Sequence, residues 1–246
     1  MDEDGVLIEP RKIPGDPAID SPMILVLFEP YVETLRKELR LKRSALKRLR
    51  FPSMTYCTAT VHRKKISLCG TPLGAPQAAL FLERLIAMGA RKIVAFGCCG
   101  SLQPYLRVGH WVIPTEALSE EGTSAHYPLL KGVKPRASEK IVRLCHEKCR
   151  EKNFQFAAGK VWTTDALFRE TRRKAKLYSQ MGLLAVEMEM SALFTVATYR
   201  KVHLGGLMVV FDELATLKWK TGLLSPFFWS ASKKAAQAVI EVCLCL

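Results

Sequence analysis

One stretch limits the fold of this chain more than any other. Residues 66–100 set the apolar run Ile66-Ser67-Leu68-Cys69 before a loop rich in glycine and proline. A mostly apolar helical segment follows over residues 77–88, then a second apolar run, Lys92-Ile93-Val94-Ala95-Phe96. Gly89 stands where a helix C-terminal cap is expected. Strand, helix and strand at this spacing make a βαβ crossover. Sheets of that kind bind ligands just beyond the C-terminal ends of their strands. The spacing therefore directs attention to Gly97-Cys98-Cys99-Gly100-Ser101, read as the loop after the second strand.

The rest of the chain fits the same architecture. Residues 1–22 carry four prolines and no clear period, and read as an irregular arm. Met23-Ile24-Leu25-Val26-Leu27-Phe28 suits a strand buried on both faces. Arg36, Lys37, Arg40, Lys42, Arg43, Lys47, Arg48 and Arg50 crowd one expected amphipathic helix, with leucines at helical spacing between them. Residues 56–61 read as a weak strand and residues 62–65 as a turn. Residues 138–153 form a charged amphipathic helix, residues 159–165 a strand and loop, and residues 169–176 a solvated basic stretch. Residues 205–211 read as a buried strand ending at Asp212, and residues 231–242 as the last helix. The expectation is a three-layer α/β/α fold over residues 23–246, with a central mixed, partly barrel-like sheet.

Composition narrows the function classes. No apolar run approaches the ~20 residues needed to span a bilayer. The acidic N-terminus, Met1-Asp2-Glu3-Asp4-Gly5, lacks the basic-then-apolar order of a signal peptide. Eight cysteines without such a signal suggest reduced thiols and a cytoplasmic setting. The net charge of +14 admits a nucleic-acid surface, but no aromatic residues interleave the basic cluster, and a solvated helix face explains it better. Cys145, His146 and Cys149 are read as packing residues, since no second ligand pair has zinc-site spacing; no metal is expected.

The chemistry concentrates in Val186-Glu187-Met188-Glu189-Met190-Ser191-Ala192. Carboxylates two residues apart point the same way if the segment is extended. Buried, they would need donors, and the vicinal hydroxyls of a sugar supply a pair. The plainer alternative is two glutamates at a solvated helix start. An acid at the end of a buried strand, Asp212, is also well placed for chemistry, with a helix cap or loop solvation as its alternative.

The 186–192 segment closely resembles the V-E-M-E-x-x-A segment of the nucleoside phosphorylase and nucleosidase superfamily. Leu102-Gln103-Pro104, the run Val108-Gly109-His110-Trp111-Val112-Ile113-Pro114, and Glu121-Gly122 resemble further family motifs in the same order. The resemblance implies that Met188 and Glu189 hold a ribose, with Glu187 close to the sugar. It places Cys98, Cys99 and Gly100 in the loop that is usually G-T-x-G. It makes Leu167 and Phe168, after Asp165, walls of a base pocket, and Asp212 the acid that protonates a purine at N7. It implies no cofactor beyond inorganic phosphate as co-substrate, and a homodimer or a hexamer with active sites at subunit contacts.

The family's phosphate site is where the sequence departs. Its G-D-P-x-R motif is replaced by Phe28-Glu29-Pro30-Tyr31-Val32; its second arginine matches Ala95 and its threonine matches Cys98. Arg50, from this subunit or a neighbour, is a candidate substitute. Three readings stay open: a phosphorylase with a rebuilt phosphate site, a nucleosidase whose base is Glu29 or Glu33, and a nucleoside-binding or storage relative without turnover. A nucleic-acid-binding protein is a distant fourth, resting on charge alone.

Overall fold

Strand β1, Met23–Val26, sits between two parallel neighbours, β4 (Lys64–Gly70) and β5 (Lys92–Ser101), in a computed structural model that describes residues 6–49 and 54–246. Its side chains divide with period two: Met23 and Leu25 enter one apolar cluster, Ile24 and Val26 the other. That is why a short continuous apolar run forms a strand here, since both faces are covered. Met1 to Gly5 and Arg50, both used in the sequence reading, lie outside the described residues.

Helix α2, Ala75–Ala87, carries the chain from β4 to β5, over the strand between them. It ends as the glycine predicts: Gly89 takes φ +116°, and a Cβ there would meet the Ile19 carbonyl oxygen at 2.6 Å. The irregular arm is tied down at the same place. Ile19 donates its N–H to the Met88 carbonyl at 2.9 Å, and Asp16 pairs with Arg84 at 2.6 Å.

On the other side of β4, β3 (Met54–Val61) runs antiparallel through a two-residue turn at His62 and Arg63, both at positive φ. Strand β2, Lys47–Leu49, extends that edge. This corrects the expected basic helix. Helix α1, Pro30–Glu38, stops before Arg40, which takes φ +52°, and a 3₁₀ turn, Arg43–Ala45, leads into β2. Leu49 is buried from a strand, with Lys47 and Arg48 exposed before it. Pairing with β3 overrides the helical spacing of the leucines.

The second half adds β6 (Trp111–Glu120), α3 (Glu139–Glu151), β7 (Phe156–Thr164), α4 (Arg172–Gln180), β8 (Ala185–Glu187), α5 (Met190–Tyr199), β9 (His203–Glu213), β10 (Lys220–Thr221) and α6 (Pro226–Leu244). The ten strands run in the order β10-β9-β6-β7-β8-β5-β1-β4-β3-β2, and β9 also pairs with β5. That extra pairing closes β5, β9, β6, β7 and β8 into a five-stranded ring, the barrel-like part of a mixed sheet. Helices α2 and α5 cover one side with the first cluster; α1, α3 and α6 cover the other with the second. Cys145 and Cys149 are buried in that second cluster, and all eight cysteines are free thiols. Among the described residues no helix is long and apolar enough to cross a membrane.

Two further expectations change. The segment 97–101 is not a loop: β5 continues through it, paired with β9 on one side and, at Gly100 and Ser101, with β8 on the other. The register with β9 shifts between Cys99 and Gly100, so the glycines mark a bulge inside a strand rather than its end. The basic stretch 169–176 runs into α4, which Thr171 caps by accepting the Lys174 N–H at 3.2 Å, and which buries Ala175 and Tyr178.

Candidate active site

The ring of strands opens on a cavity of about 470 Å3. The residues expected to hold or act on a nucleoside line it. Cys98, Cys99 and Gly100 come from the bulged end of β5, Glu187 from the end of β8, and Met188 and Glu189 from the bend before α5. Leu167 and Phe168 come from a 3₁₀ turn, Leu167–Arg169, after β7, and Asp212 from the end of β9. Residues more than a hundred positions apart meet because β5 is bonded to both β8 and β9.

The two glutamates are not at a solvated helix start: Glu187 is 5% exposed and Glu189 4%. Their oxygens have different duties. Glu187 Oε2 accepts the backbone N–H groups of Glu189 at 2.7 Å and Met190 at 2.6 Å, and Oε1 accepts the Thr163 hydroxyl. Glu187 thus satisfies the free N–H groups at the start of α5 and has little capacity left for a ligand. Glu189 accepts the Gly74 N–H on Oε1 at 2.8 Å, and the Met188 backbone N–H also acts on its carboxyl. Its second oxygen is the better ligand acceptor. Burial pushes both carboxyls above the ordinary glutamate range, and the charge of Glu189 pushes Glu187 further.

Asp212 and Glu213 follow strand alternation. Asp212 faces the cavity, while Glu213 accepts the Val108 N–H at 3.1 Å and pairs with Arg107. Asp212 Oδ2 accepts the indole N–H of Trp219 at 2.6 Å. Burial raises its pKa above the usual aspartate value, and the Trp219 bond opposes this. The approach is possible because residue 100 has no side chain: a Cβ there would lie 2.6 Å from Asp212 Oδ1.

The place of the missing phosphate motif is filled with aromatic rings. Phe28 lines the cavity, packs edge-on against Tyr31 with centroids 5.0 Å apart, and stacks at 6.4 Å on Trp229. Val32 is buried in the core and Ala95 in the sheet. Neither glutamate expected as a hydrolytic base lines the cavity. Glu29 is exposed at the start of α1, and Glu33 pairs with Arg36 at 2.6 Å, which holds its carboxyl down to about 2. Among the described residues the charged side chains lining the cavity are Glu170, Glu187, Glu189 and Asp212, all acidic. Burial and these carboxyls push up the thiols of half-buried Cys98 and buried Cys99, so they stay protonated.

Sequence reasoning missed Glu170 and Trp219. Glu170 sat inside a stretch read as basic and solvated, although it lies two residues beyond Phe168. Trp219 carried no signal in the sequence, because only the pairing of β10 with β9 returns the chain to Asp212.

Residues 23–244 match the family model of the Phosphorylase superfamily. A DeoD-type purine nucleoside phosphorylase of Caldanaerobacter subterraneus subsp. tengcongensis is 29% identical over 154 residues, which are 62% of this chain and 66% of the relative, just under two thirds of its length. The corresponding protein of Brevibacillus brevis is 28% identical over 160 residues, 65% of this chain and 68% of the relative. In structure, a uridine phosphorylase from Vibrio fischeri superposes with TM-score 0.78 at 18% identity, covering 91% of this chain and 92% of that one. A purine nucleoside phosphorylase from Toxoplasma gondii in complex with immucillin-H gives 0.79 at 18% identity, covering 92% and 91%.

Proposed function

We propose that this chain, which belongs to the phosphorylase superfamily, is an enzyme that cleaves the N-glycosidic bond of a purine-type nucleoside, transferring the pentosyl group to phosphate or water. The observation that carries the reading is one buried cavity holding an under-used carboxyl, Glu189, and a separate acid, Asp212. Glu189 would accept from the ribose hydroxyls, beside Met188 packing on the sugar. As the bond breaks, positive charge grows on the sugar and negative charge on the departing base. Asp212, raised by burial, would give its proton to N7, so that the base takes the electron pair of the C–N bond and leaves neutral while Asp212 is left as a carboxylate.

The acceptor is the open chemical step. Phosphate sites need positive charge or free backbone donors, and the described lining offers only carboxyls. Phosphorolysis in this cavity would draw its cation from outside this lining, with Arg50 or a neighbouring subunit as its source. An exposed apolar rim around the mouth supports an oligomer, a dimer or a hexamer: Phe168 is 96% exposed and Trp219 69%. Eight free thiols fit a reducing, cytoplasmic setting.

The test is incubation of pure protein with a panel of purine and pyrimidine nucleosides, with and without phosphate. Release of free base is the expected result, with the pentose 1-phosphate or free pentose naming the acceptor. Stoichiometric binding without release on every nucleoside would leave a binding protein instead.

A further inference from the structure

Glu170 is the cavity carboxyl that the proposed reaction does not use. It is half-buried, and no hydrogen bond or ion pair from the described residues reaches its oxygens, whereas Glu187, Glu189 and Asp212 each accept at least one. Its backbone is held on both sides. The Glu170 N–H donates to the Leu167 carbonyl at 3.3 Å, and the next residue, Thr171, caps α4. A fixed backbone therefore aims a carboxyl into a cavity walled by Phe28, Phe168 and Phe211. A polar group so placed is costly until a ligand supplies its partner.

We propose that Glu170 is a specificity-determining residue that reads the substituent at C6 of the purine, and selects 6-amino over 6-oxo nucleosides. The inference rests on the glycosidic-cleavage reading above, because it takes Asp212 to face N7. On a purine, N7 and the C6 substituent share one edge. Glu170 and Asp212 line the same cavity, so a purine held with N7 at Asp212 would bring its C6 substituent within the reach of Glu170. A 6-amino group donates to a carboxylate; a 6-oxo group turns lone pairs toward it.

The titratable groups that share the cavity are Asp212 on β9, Glu187 on β8, Glu189 before α5, and the protonated thiols of Cys98 and Cys99 on β5. Burial, then the charge of Asp212, pushes Glu170 up to about 7. Above that pH the carboxylate discriminates fully. Below it a protonated carboxyl can donate to a 6-oxo group, and discrimination weakens.

The experiment compares kcat/KM for adenosine and inosine in the wild type and Glu170→Gln at pH 8. The wild type should favour adenosine roughly 10- to 100-fold, the size of an unpaired buried acceptor. The amide of Gln can present either a donor or an acceptor, so Glu170→Gln should bring the ratio to within about threefold, mainly by raising inosine. A wild-type preference for inosine, or a ratio that Glu170→Gln leaves unchanged, overturns the proposal. Calorimetric titration with adenine and hypoxanthine needs no turnover and should give the same ordering. If the bases bind in that order, respond to Glu170→Gln and yet no nucleoside is cleaved, base reading by Glu170 stands while the cleavage reading falls. Failure to bind either base overturns the inference.

Discussion

Trp219 donates its indole N–H to Asp212 Oδ2 at 2.6 Å, from a short ribbon in which β10 pairs with the last residues of β9. A neutral donor thus orients one oxygen of the acid and leaves the other, beside Gly100, for a ligand. Trp219→Phe removes the donor that opposes the rise in Asp212 pKa. The alkaline limb of the pH–rate profile should then move to higher pH, because the acid keeps its proton longer. The rate plateau should fall roughly 3- to 10-fold as the carboxyl loses its anchor. An unmoved limb would separate Trp219 from the chemistry.

Asp212→Asn should lower kcat by about 100- to 10,000-fold while nucleoside binding stays within a few-fold. Steady-state kinetics paired with calorimetry measure both. Full rate on every purine nucleoside that the wild type accepts would remove Asp212 from its role.

Glu189→Gln should behave differently, weakening nucleoside binding by roughly 10-fold or more, because a charged acceptor is lost from the sugar hydroxyls. Glu187→Gln should instead lower thermal stability. Oε2 holds the Glu189 and Met190 N–H groups while Oε1 accepts the Thr163 hydroxyl, and an amide can offer an acceptor oxygen to only one of these two sides. Calorimetric titration and thermal melts of the two variants distinguish a ligand-facing glutamate from a helix-capping one.

Gly100→Ala should damage both stability and rate. The new methyl would lie 2.6 Å from Asp212 Oδ1 and from Leu214 Cδ1, and 3.1 Å from Val186 Cγ1. Overpacking of this kind costs about 1–3 kcal/mol, and displacement of Asp212 should lower kcat more than it raises KM. Denaturant unfolding and kinetics read the two effects separately.

Stability should fall as pH rises from the ordinary carboxyl range toward neutrality. Glu187, Glu189 and Asp212 are raised by burial, and Glu170 moves from 4.5 to about 7. Over that interval the folded protein binds more protons at these groups than the unfolded chain. Their contribution is therefore complete below about pH 4.5 and is lost as pH climbs through the folded values. Melting temperatures at pH 5.5 and 8 should show the drop, and it should shrink in Glu189→Gln.

Much of this protein could be read in one dimension, wherever local chemistry already specifies the answer. Continuous apolar runs marked β1 and β9, Gly89 marked the end of α2, and paired glutamates inside an apolar segment marked one wall of the cavity. The tertiary structure decided the rest, because those features depend on partners distant in the chain. The basic stretch after α1 became strand β2 when β3 offered it an edge, and residues 97–101 became strand when β8 and β9 bonded them from both sides. The division of labour between Glu187 and Glu189, alike in sequence, came from where backbone N–H groups happened to point. Glu170 and Trp219 entered the site through a 3₁₀ turn and a β-ribbon that carry no pattern of their own. Periodicity records which face a residue buries; it does not record which neighbour that face will meet.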